Sequence, residues 1–578
     1  MPSFLSRFAA ICLLAVAGHA LAAFPAIRLD QLGFLPDASK LAIVEGDSRA
    51  TAFTVVREDN GRTVLRGKLS PPSPWEPAAR TAAVADFSAL TTPGRYRLQV
   101  RGLPPSDPFA IDPAAYAGLA DAALKAYYYN RASIALDAAH AGAYARPAGH
   151  PDAQVEIHPS AASPGRPAGT LVSAPKGWYD AGDYNKYVVN SGISTWTLLT
   201  AFEHYPDFFR SRDLNIPESG NAVPDILDEA LWNLEWMLAM QDPIDGGVYH
   251  KLTNLSFDGV VMPAQATARR YMVGKGTAAA LDFAAVMAKA SRVYAPYAAQ
   301  FPGLSARMRK AAEAAWGWAL VHPDVAYVQP ADVKTGGYND DKFADEFAWA
   351  AAELYLLTGE EAYFETFERY AVAPEVPSWA DVGSLGWVSL GNAAERLPND
   401  AARGRVRSGL ETAAGALAAK WQQSPWRVAT QKEDFRWGSN ADVLNQAMIL
   451  LQGYRLSGER VQLDAAQSQL DYVLGRNPLG VSFVTGQGLR TPMHIHHRPS
   501  QADGVDAPVP GWLSGGANPG QQDAKECGAV RYDSNLPALS WLDDACSYAS
   551  NEVAINWNAP LVYVAAALQS LTGRSEVR

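Results

Sequence analysis

Long stretches in which apolar residues recur at helical spacing dominate the chain from Pro113 onward. In several of them, such as residues 231–238, apolar side chains lie on more than one helical face. A helix that is apolar around much of its circumference has to be enclosed by other helices. The eleven stretches are residues 116–129, 193–204, 226–240, 276–294, 304–321, 343–358, 362–371, 403–422, 441–456, 461–474 and 560–572. They predict two layers of paired helices, which we expect to close into an (α/α)6 barrel.

Residues 24–112 differ from the rest and predict a small domain of β-strands. Segments such as 41–44, 52–56 and 96–100 are short and either β-branched or alternating, and turn residues separate them. A sandwich of about seven strands fits this length. The expected fold class is therefore a small all-β sandwich followed by a large all-α barrel in residues 113–578.

Residues 1–23 have the pattern of a secretory signal peptide. A positive charge at Arg7 precedes an apolar run over residues 9–17 and small residues at 20–23. A membrane anchor is the alternative, but the run is shorter than the roughly 20 residues that a spanning helix needs. No later stretch is apolar enough to span a bilayer. We therefore expect a secreted or periplasmic protein with no membrane partner.

Charge, cysteine content and aromatic content narrow the function further. A formal net charge of −11 would repel the phosphates of nucleic acid, so we expect no nucleic-acid partner.

Removal of residues 1–23 leaves Cys527 and Cys546, which in an exported chain can form one disulfide; two free buried thiols are the alternative. The 16 Trp and 24 Tyr residues suit either a large core or a protein that stacks on the apolar faces of sugar rings. We expect a monomer.

Two aspartates three residues apart lie in the segment Trp-Tyr-Asp-Ala-Gly-Asp-Tyr-Asn-Lys-Tyr-Val at residues 178–188. The small residues between Asp180 and Asp183 permit a tight turn that would bring both carboxylates to one side. Paired carboxylates aimed at one water molecule would hold and deprotonate it, which is general-base chemistry. The alternative is a helix N-cap followed by a turn aspartate.

A single glutamate among apolar neighbours, Glu552, lies near the start of the last predicted helix. Apolar surroundings raise the pKa of a carboxyl group, as a general acid requires. A first-turn glutamate that interacts with the helix dipole is the alternative interpretation.

Three histidines, His494, His496 and His497, fall within four positions of a loop rich in Gly and Pro. Such a cluster is compatible with a metal site, with hydrogen bonding to hydroxyls or a carboxylate, or with a structural network. From the residues alone, all three interpretations stay open.

Together, these segments resemble glycoside hydrolase family 9, the inverting endoglucanases. Residues 178–188 are similar to that family's WYDAGDYxKYV motif, and the histidine loop and the Glu552 segment are similar to its two later signatures. The landmarks, in chain order, are residues 28–34, 178–188, 345–351, 475–478, 482–498 and 541–559. The first of them is similar to the start of the immunoglobulin-like module that precedes many such enzymes. The resemblance spans residues 24–575 and implies an immunoglobulin-like sandwich followed by an (α/α)6-barrel catalytic domain.

Carried over residue by residue, the resemblance implies catalytic roles. Asp183 would be the base, Asp180 would help to hold the water, and Glu552 would donate a proton to the leaving oxygen. His496 and Arg498 would bind sugar hydroxyls beside the cleavage point. An inverting site needs its acid and base about 6.5–9.5 Å apart, which leaves room for a water molecule.

Three aromatic residues, Trp349, Trp387 and Tyr548, are further candidates for stacking on the glucan. Each of them is alternatively a core residue.

Metal ions enter through the same resemblance, although the chemistry itself needs no cofactor. Relatives with this front module often hold a structural zinc ion between two cysteines and two histidines. The corresponding residues 130–133 and 148–150 contain no cysteine, so we expect that site to be absent. Calcium is common in the family, and Asp341, Asp345 and Glu346 could contribute ligands; acidic residues at a solvated helix start are the alternative.

The leading functional hypothesis is hydrolysis of β-1,4-glucosidic bonds in cellulose or related β-glucans, with endo attack favoured. One rival is an exo-β-glucosaminidase that acts on chitosan oligomers, which would need a blocked cleft end and an acidic residue placed for a sugar ammonium group. Another is a non-catalytic glycan-binding protein, which predicts a lost acid or base, whereas Asp180, Asp183 and Glu552 are all present. Mixed-linkage glucan and xyloglucan are other possible substrates.

Overall fold

The computed structural model describes residues 26–46 and 49–572 of the 578-residue chain. The predicted signal peptide, residues 1–23, lies outside the described residues. Within the described ranges, no helix combines the length and the apolarity that crossing a membrane would require.

The N-terminal module is a sandwich of two antiparallel sheets. Its described strands are β1 (Ile27–Arg28), β2 (Leu41–Glu45), β3 (Ala52–Arg57), β4 (Thr63–Lys68), β5 (Ser73–Trp75), β6 (Arg80–Asp86), β7 (Gly94–Val100) and β8 (Phe109–Ile111). One sheet has the order β1-β2-β6-β5 and the other β4-β3-β7-β8. Phe34, Phe87 and Phe109 fill the space between the sheets, with ring centroids 5.1–5.7 Å apart. Tyr96 donates its hydroxyl hydrogen bond to the Thr92 carbonyl at 2.9 Å, an arrangement like the tyrosine corner of immunoglobulin-like domains.

The remaining described residues form a helical domain with one small sheet. Its helices are α1 (Ala117–Tyr129), α2 (Ala138–Ala141), α3 (Val188–His204), α4 (Pro206–Arg210), α5 (Asp225–Ala239), α6 (Thr277–Tyr294), α7 (Leu304–Val321), α8 (Ala344–Thr358), α9 (Glu361–Tyr370), α10 (Gly383–Asn392), α11 (Asp400–Gln423), α12 (Ser439–Ser457), α13 (Arg460–Val473), α14 (Arg498–Ala502), α15 (Tyr548–Asn551) and α16 (Ile555–Thr572). Its strands are β9 (Val155–Ile157), β10 (Leu171–Val172), β11 (Lys186–Tyr187), β12 (Tyr249–Thr253) and β13 (Tyr271–Lys275).

The long helices alternate between an outer and an inner layer along the chain. The inner helices α3, α6, α8, α10, α12 and α16 are buried on almost every face; in α6, for example, all residues except Arg292 are buried. The outer helices bury one stripe, as α11 does at positions spaced three or four apart. Most outer helices pack chiefly on the inner helix that precedes them, as α7 does on α6 and α9 on α8, and α16 packs on both α3 and α12. The predicted (α/α)6 barrel behind an immunoglobulin-like sandwich is confirmed.

The small sheet positions the segment that carries the paired aspartates. Its order is β10-β9-β13-β12-β11, and β11 leads directly into α3. Lys186 in β11 is fully buried and pairs with buried Asp152 at 2.8 Å. The preceding residues 178–185 are thereby held between the sheet and the inner helix layer.

The two modules meet at an interface that includes both apolar contacts and hydrogen bonds. Trp75 stacks on Trp426 of the helical domain at 5.0 Å between ring centroids. The Gln31 side-chain amide donates to the Gly480 carbonyl at 2.9 Å, and its oxygen accepts from the Leu489 main-chain N–H at 2.8 Å. The interface therefore ties the sandwich to the loop that leads toward the histidine cluster.

Candidate active site

A tight turn holds the two aspartates before β11. The Asp180 main-chain N–H donates to the Asn185 carbonyl at 3.0 Å, which closes the turn around Asp183. Asp180 is 1 % exposed and Asp183 6 % exposed. Asp180 accepts hydrogen bonds from the Asn190 amide at 2.8 Å and from the Tyr338 hydroxyl at 2.7 Å. Asp183 accepts one from the Asn185 amide.

Different partners set the order in which the aspartates ionise. Burial, and then the charge of Asp183, raise the pKa of Asp180 to about 8, and its nearby donors are neutral. Burial also raises the pKa of Asp183, but the guanidinium groups of Arg498 and Arg270 oppose this rise. Because arginines favour the carboxylate form at Asp183 alone, Asp183 is the first of the pair to lose its proton. This is the state that a general base requires.

Glu552 lies in the short link between α15 and α16. It precedes the first residue of α16 by three positions, so the structure does not place it in the first turn of that helix. Its Oε1 accepts the Gly182 main-chain N–H at 3.3 Å, which brings it to the aspartate turn. Burial, and then the charge of Asp183, raise the pKa of Glu552 well above its usual range. A carboxyl group that keeps its proton in this way is suited to act as a general acid.

Gly182 is tightly enclosed by the histidine loop. A Cβ at this position would lie 2.2 Å from the His496 carbonyl oxygen, so no side chain fits without moving the loop. Gly182 also accepts hydrogen bonds from the Arg498 main-chain N–H at 3.0 Å and from its Nη1 at 2.9 Å. The predicted ligand-binding residues are thus packed directly on the turn between Asp180 and Asp183.

The three histidines of the loop have separate environments. His494 is exposed. The half-buried His496 contacts the Ala545 carbonyl through Nδ1 at 2.7 Å, and burial lowers its pKa. The fully buried His497 contacts Ser500 at 2.9 Å and Asn130 at 3.0 Å, and burial lowers its pKa to about 3. The arrangement is a structural network at His497 and leaves Nε2 of His496 available for a sugar hydroxyl.

A cavity of about 410 Å³ adjoins the acid. Its lining combines aromatic rings, small residues and polar groups: Ala181, Ile193, Tyr338, Ser378, Trp379, Ala380, Arg436, Trp437, Gly438, Ala441, Asp442, Asn445, Glu552, Ala554, Asn556 and Trp557. Trp437 is 42 % exposed and lies against Tyr548, with 5.3 Å between ring centroids. Tyr548 also meets His496 edge-on at 5.9 Å. An aromatic surface next to the catalytic carboxyls suits the apolar faces of sugar rings.

Two of the predicted stacking residues lie elsewhere. Trp349 is fully buried in α8, where its ring meets Trp196 at 6.3 Å. Trp387 packs against Phe367 of α9 at 5.3 Å and lies close to Gly409 of α11. Glucan stacking at Trp349 is therefore wrong, since its side chain is fully enclosed between barrel helices. Trp387 is half-buried and does not line the cavity beside Glu552, and stacking there stays a prediction.

Sequence reasoning missed several residues around the carboxyls, chiefly Tyr338, Trp379, Trp437 and Arg270. Tyr338 lies 158 residues after Asp180, its partner. The available signal was aromatic residues in Gly-rich and Ser-rich segments outside the helical patterns, as at Trp379 and Trp437. Such a signal marks exposure without indicating which site the residues share.

The predicted calcium residues lie at and before the start of α8. Asp341 is exposed, and Asp345 accepts the Val382 main-chain N–H at 2.9 Å, beside the start of α10. Glu346 is 2 % exposed, and its Oε2 has no hydrogen-bond partner within the described residues; the same holds for both carboxylate oxygens of Asp282 in α6. Orphaned, buried carboxylate oxygens fit the chemistry of a hard cation. Across residues 26–46 and 49–572, however, no three His, Cys, Asp or Glu side chains converge as metal ligands.

The region that corresponds to the zinc site of relatives contains other interactions. His150 contacts the Tyr179 hydroxyl through Nδ1 at 2.8 Å. Arg131 is fully buried and pairs with Glu229 at 3.0 Å and Glu218 at 2.9 Å. The donor set here does not match the soft, closed set that zinc prefers.

A disulfide joins Cys527 and Cys546, whose Cα atoms are 5.1 Å apart. Ala545, which precedes Cys546, accepts the hydrogen bond of His496, and Tyr548 lies two residues after Cys546. The crosslink therefore anchors the loop that supports the site.

Comparisons with known proteins agree with this geometry. The model of glycosyl hydrolase family 9 matches residues 116–565, and that of the cellulase N-terminal ig-like domain matches residues 22–104. The chain is 46% identical over 569 residues to the xyloglucan-specific endo-beta-1,4-glucanase BoGH9A of Bacteroides ovatus, with 94% of each chain covered. It is 32% identical over 549 residues to endoglucanase D of Acetivibrio thermocellus, covering 93% of this chain and 83% of the relative.

Solved structures show the same similarity. The structure of Bacteroides ovatus GH9 superposes with a TM-score of 0.88 and 43% identity, covering 95% of this chain and 99% of the other. AaCel9A in complex with cellobiose-like isofagomine superposes with a TM-score of 0.86 and 32% identity, covering 94% and 99%.

Proposed function

Because the chain belongs to glycosyl hydrolase family 9, we propose that it is an inverting endo-β-1,4-glucanase in which Asp183 is the base and Glu552 the acid. The observation that carries this proposal is the buried trio of Asp180, Asp183 and Glu552 around Gly182. Burial raises the pKa of both Asp183 and Glu552, and it raises that of Glu552 well above its usual range. Two arginines, Arg498 and Arg270, oppose the rise at Asp183, whereas the charge of Asp183 adds to the rise at Glu552.

The reaction follows from these protonation states. Glu552 transfers its proton to the glycosidic oxygen as the bond from the anomeric carbon to that oxygen breaks. A water molecule attacks the anomeric carbon from the opposite face and loses a proton to Asp183. Asp180, held by Asn190 and Tyr338, helps to orient the water. The products are two shorter chains, and the new reducing end has inverted configuration.

The mechanism predicts distinct losses from single substitutions. Glu552→Gln removes the transferable proton and Asp183→Ala removes the base, so each should lower kcat on a polymeric glucan by at least about a hundredfold. Glu361→Gln, at an exposed glutamate in α9, is the matched control and should keep full activity. Proton NMR of fresh product should show the α-anomer first. Initial β-product, or retained activity in Glu552→Gln, would overturn the assignment.

We propose a polymer with a β-1,4-glucan backbone as the substrate. Xyloglucan and unbranched cellulose are both candidates. The xyloglucan-specific name of a 46% identical relative favours the branched polymer. Viscosity and new reducing ends should be followed together on carboxymethylcellulose, xyloglucan and glucosamine oligomers. A fast fall in viscosity with few new ends would support endo attack, and the ratio of kcat/KM between the two glucans would rank them.

The cavity does not favour the glucosaminidase alternative. Asp442 in its lining is already paired with Arg436 at 2.8 Å, so it is engaged rather than free to bind a sugar ammonium group. Trp437 at the rim is 42 % exposed, which is consistent with an open end. Release of monomer from glucosamine oligomers, without activity on either glucan, would revive that alternative.

Two further proposals concern the setting of the enzyme. A calcium ion beside Glu346 and Asp282, completed by main-chain carbonyl and water oxygens, would neutralise carboxylate oxygens that have no hydrogen-bond partner within the described residues and would stabilise the packing of α6 on α8. Export is supported by the Cys527–Cys546 disulfide, because such crosslinks persist in oxidising compartments. Protein sequencing of the N-terminus of the exported chain would test cleavage after residue 23.

A further inference from the structure

An exposed loop next to the catalytic turn has no role in the reaction described so far. It covers residues 254–262, directly after β12, and its tip presents two large apolar side chains. Phe257 is 48 % exposed and Val260 is 57 % exposed. A half-exposed phenylalanine in a loop is not needed for core packing, so its position relative to the site is informative.

Both ends of this loop are fixed to the segment that carries the base. The Asn254 main-chain N–H donates to the side-chain oxygen of Asn185 at 3.1 Å, and the Tyr184 hydroxyl donates to the Val261 carbonyl at 2.5 Å. Asn254 also donates through its amide to Asp258 at 2.7 Å, which braces the tip. The loop is therefore positioned by the two residues that directly follow Asp183.

Arg498 connects the loop tip to the catalytic turn. Its Nε donates to the Asp258 carbonyl at 2.9 Å, while its Nη1 donates to Gly182 at 2.9 Å. The ring of Phe257 lies over the same guanidinium group, with 5.4 Å from its carbon to the ring centroid. One face of the ring thus meets Arg498, and much of the remainder faces solvent.

The aromatic cavity lies elsewhere around the carboxyls. Its lining includes Glu552 and Ala181 but neither Arg498 nor Phe257. A glucan chain that occupies the cavity and continues past the acid and the base must therefore find further contacts outside it. Phe257 provides an exposed aromatic ring outside the cavity, and Arg498 links that ring to the catalytic turn.

We propose that Phe257 is a specificity-determining residue that stacks on a sugar on the leaving-group side of the cleavage point. This inference rests on the proposed function and extends it. The ring offers an apolar face of the kind that sugar C–H faces prefer. It favours substrates that extend beyond the cleaved bond on the leaving-group side.

The test compares substrates with and without a leaving-group sugar. β-Cellobiosyl fluoride carries its sugars on one side of the cleaved bond, whereas cellopentaose can extend on both sides. Phe257→Ala should lower kcat/KM on cellopentaose by about tenfold, because burying the exposed part of an aromatic ring is worth roughly one factor of ten. The same variant should hydrolyse the fluoride within about twofold of wild type.

Matched variants make the result specific. Val260→Ala shortens a somewhat more exposed apolar side chain in the same loop and should leave kcat/KM unchanged on both substrates. Phe257→Tyr and Phe257→Trp retain an aromatic face and should restore activity on cellopentaose. Unchanged fluoride hydrolysis in Phe257→Ala also shows that the variant is folded.

Three outcomes separate this inference from the function on which it rests. If the wild-type protein were inactive on every β-1,4-glucan and on the fluoride, the proposed function would be wrong. A wild-type enzyme active on both substrates, with Phe257→Ala unaffected on cellopentaose, would overturn the stacking role alone. Equal losses on both substrates would mean that Phe257 acts through Arg498 and the catalytic turn, which also contradicts the proposal.

Discussion

Asp30 and Asp471 form a buried acidic pair where the two modules meet. They are 0 % and 1 % exposed, respectively. Burial, and then the charge of Asp471, raise the pKa of Asp30 well above its usual range. Burial raises the pKa of Asp471 to about 6, against the opposing charge of Arg476. Because the charge of Asp471 raises the pKa of Asp30, Asp471 is the first of the pair to lose its proton as the pH rises.

The raised pKa of Asp30 makes stability depend on pH in a defined direction. In the unfolded chain an aspartate titrates near pH 4, so above that pH folding binds one proton at Asp30. Each such proton lowers the free energy of unfolding by about 1.4 kcal/mol per pH unit. The contribution of Asp30 is fully present below about pH 4 and is lost as pH rises toward its raised folded pKa.

Asp30→Asn should remove this dependence while retaining the local structure. Asn keeps the oxygen that accepts the Leu32 and Gly33 N–H groups at 2.8 and 3.3 Å, but it cannot ionise. Other buried carboxyl groups titrate in both proteins, so the difference between variant and wild type reports on Asp30 together with Asp471, the carboxyl group that interacts with it. Between pH 5 and 7, that difference in unfolding free energy should shift in favour of the variant, by up to about 1.4 kcal/mol for each pH unit over which Asp30 keeps its proton in the folded protein.

Urea unfolding followed by tryptophan fluorescence measures this difference, since Trp75 and Trp426 stack at the same interface. Curves should be recorded at pH 5, 6 and 7 for wild type, Asp30→Asn and Asp37→Asn. Asp37 is exposed, so its variant should follow wild type at each pH. A constant difference between Asp30→Asn and wild type across the three values would refute the reasoning.

Three other predictions concern the site and its supports. Tyr338→Phe removes the 2.7 Å hydrogen bond to Asp180 and should lower kcat about tenfold without changing the circular dichroism spectrum; full activity would exclude a role in orienting the water. Replacing both Cys527 and Cys546 by Ser opens a loop with a sequence separation of 19 and should lower the free energy of unfolding by about 3 kcal/mol in urea titrations, whereas unchanged stability would argue against a stabilising crosslink. Removal of calcium by EDTA should lower the Tm in calorimetry and added calcium should restore it, and an unaffected Tm would reject the ion.

The helical domain was largely predictable because burial on several faces is visible in sequence. Each of the eleven predicted stretches corresponds to an observed helix, and most ends agree within a few residues. One inner helix, α10, was missed because it contains Gly383, Gly386 and Gly391, which disfavour a helix in isolation. In the structure a Cβ at Gly386 would lie 3.1 Å from the Ala352 Cβ, so the glycine permits close packing on α8.

Helix ends and single aromatic residues were less predictable. Inner helix α16 begins at Ile555, before the predicted start at Pro560, because the proline lies within the helix and tertiary packing supports it. Trp349 and Trp437 are the same type of residue, but Trp349 is fully buried and Trp437 is 42 % exposed. Hydrophobic periodicity reports the burial of a whole segment, and it does not say which ring faces a cavity.

The sequence alone predicted the fold class from helical periodicity, and the resemblance of residues 178–188 and 541–559 to a known family singled out the three carboxyl residues, for which the local patterns by themselves left other interpretations open. Tertiary structure alone decided their surroundings. Gly182 contacts Glu552 across 370 positions, and the order of ionisation depends on Arg270 and Arg498, which come from other segments. Desolvation and Coulomb interactions depend on distances in space, and those distances exist only once the chain has folded.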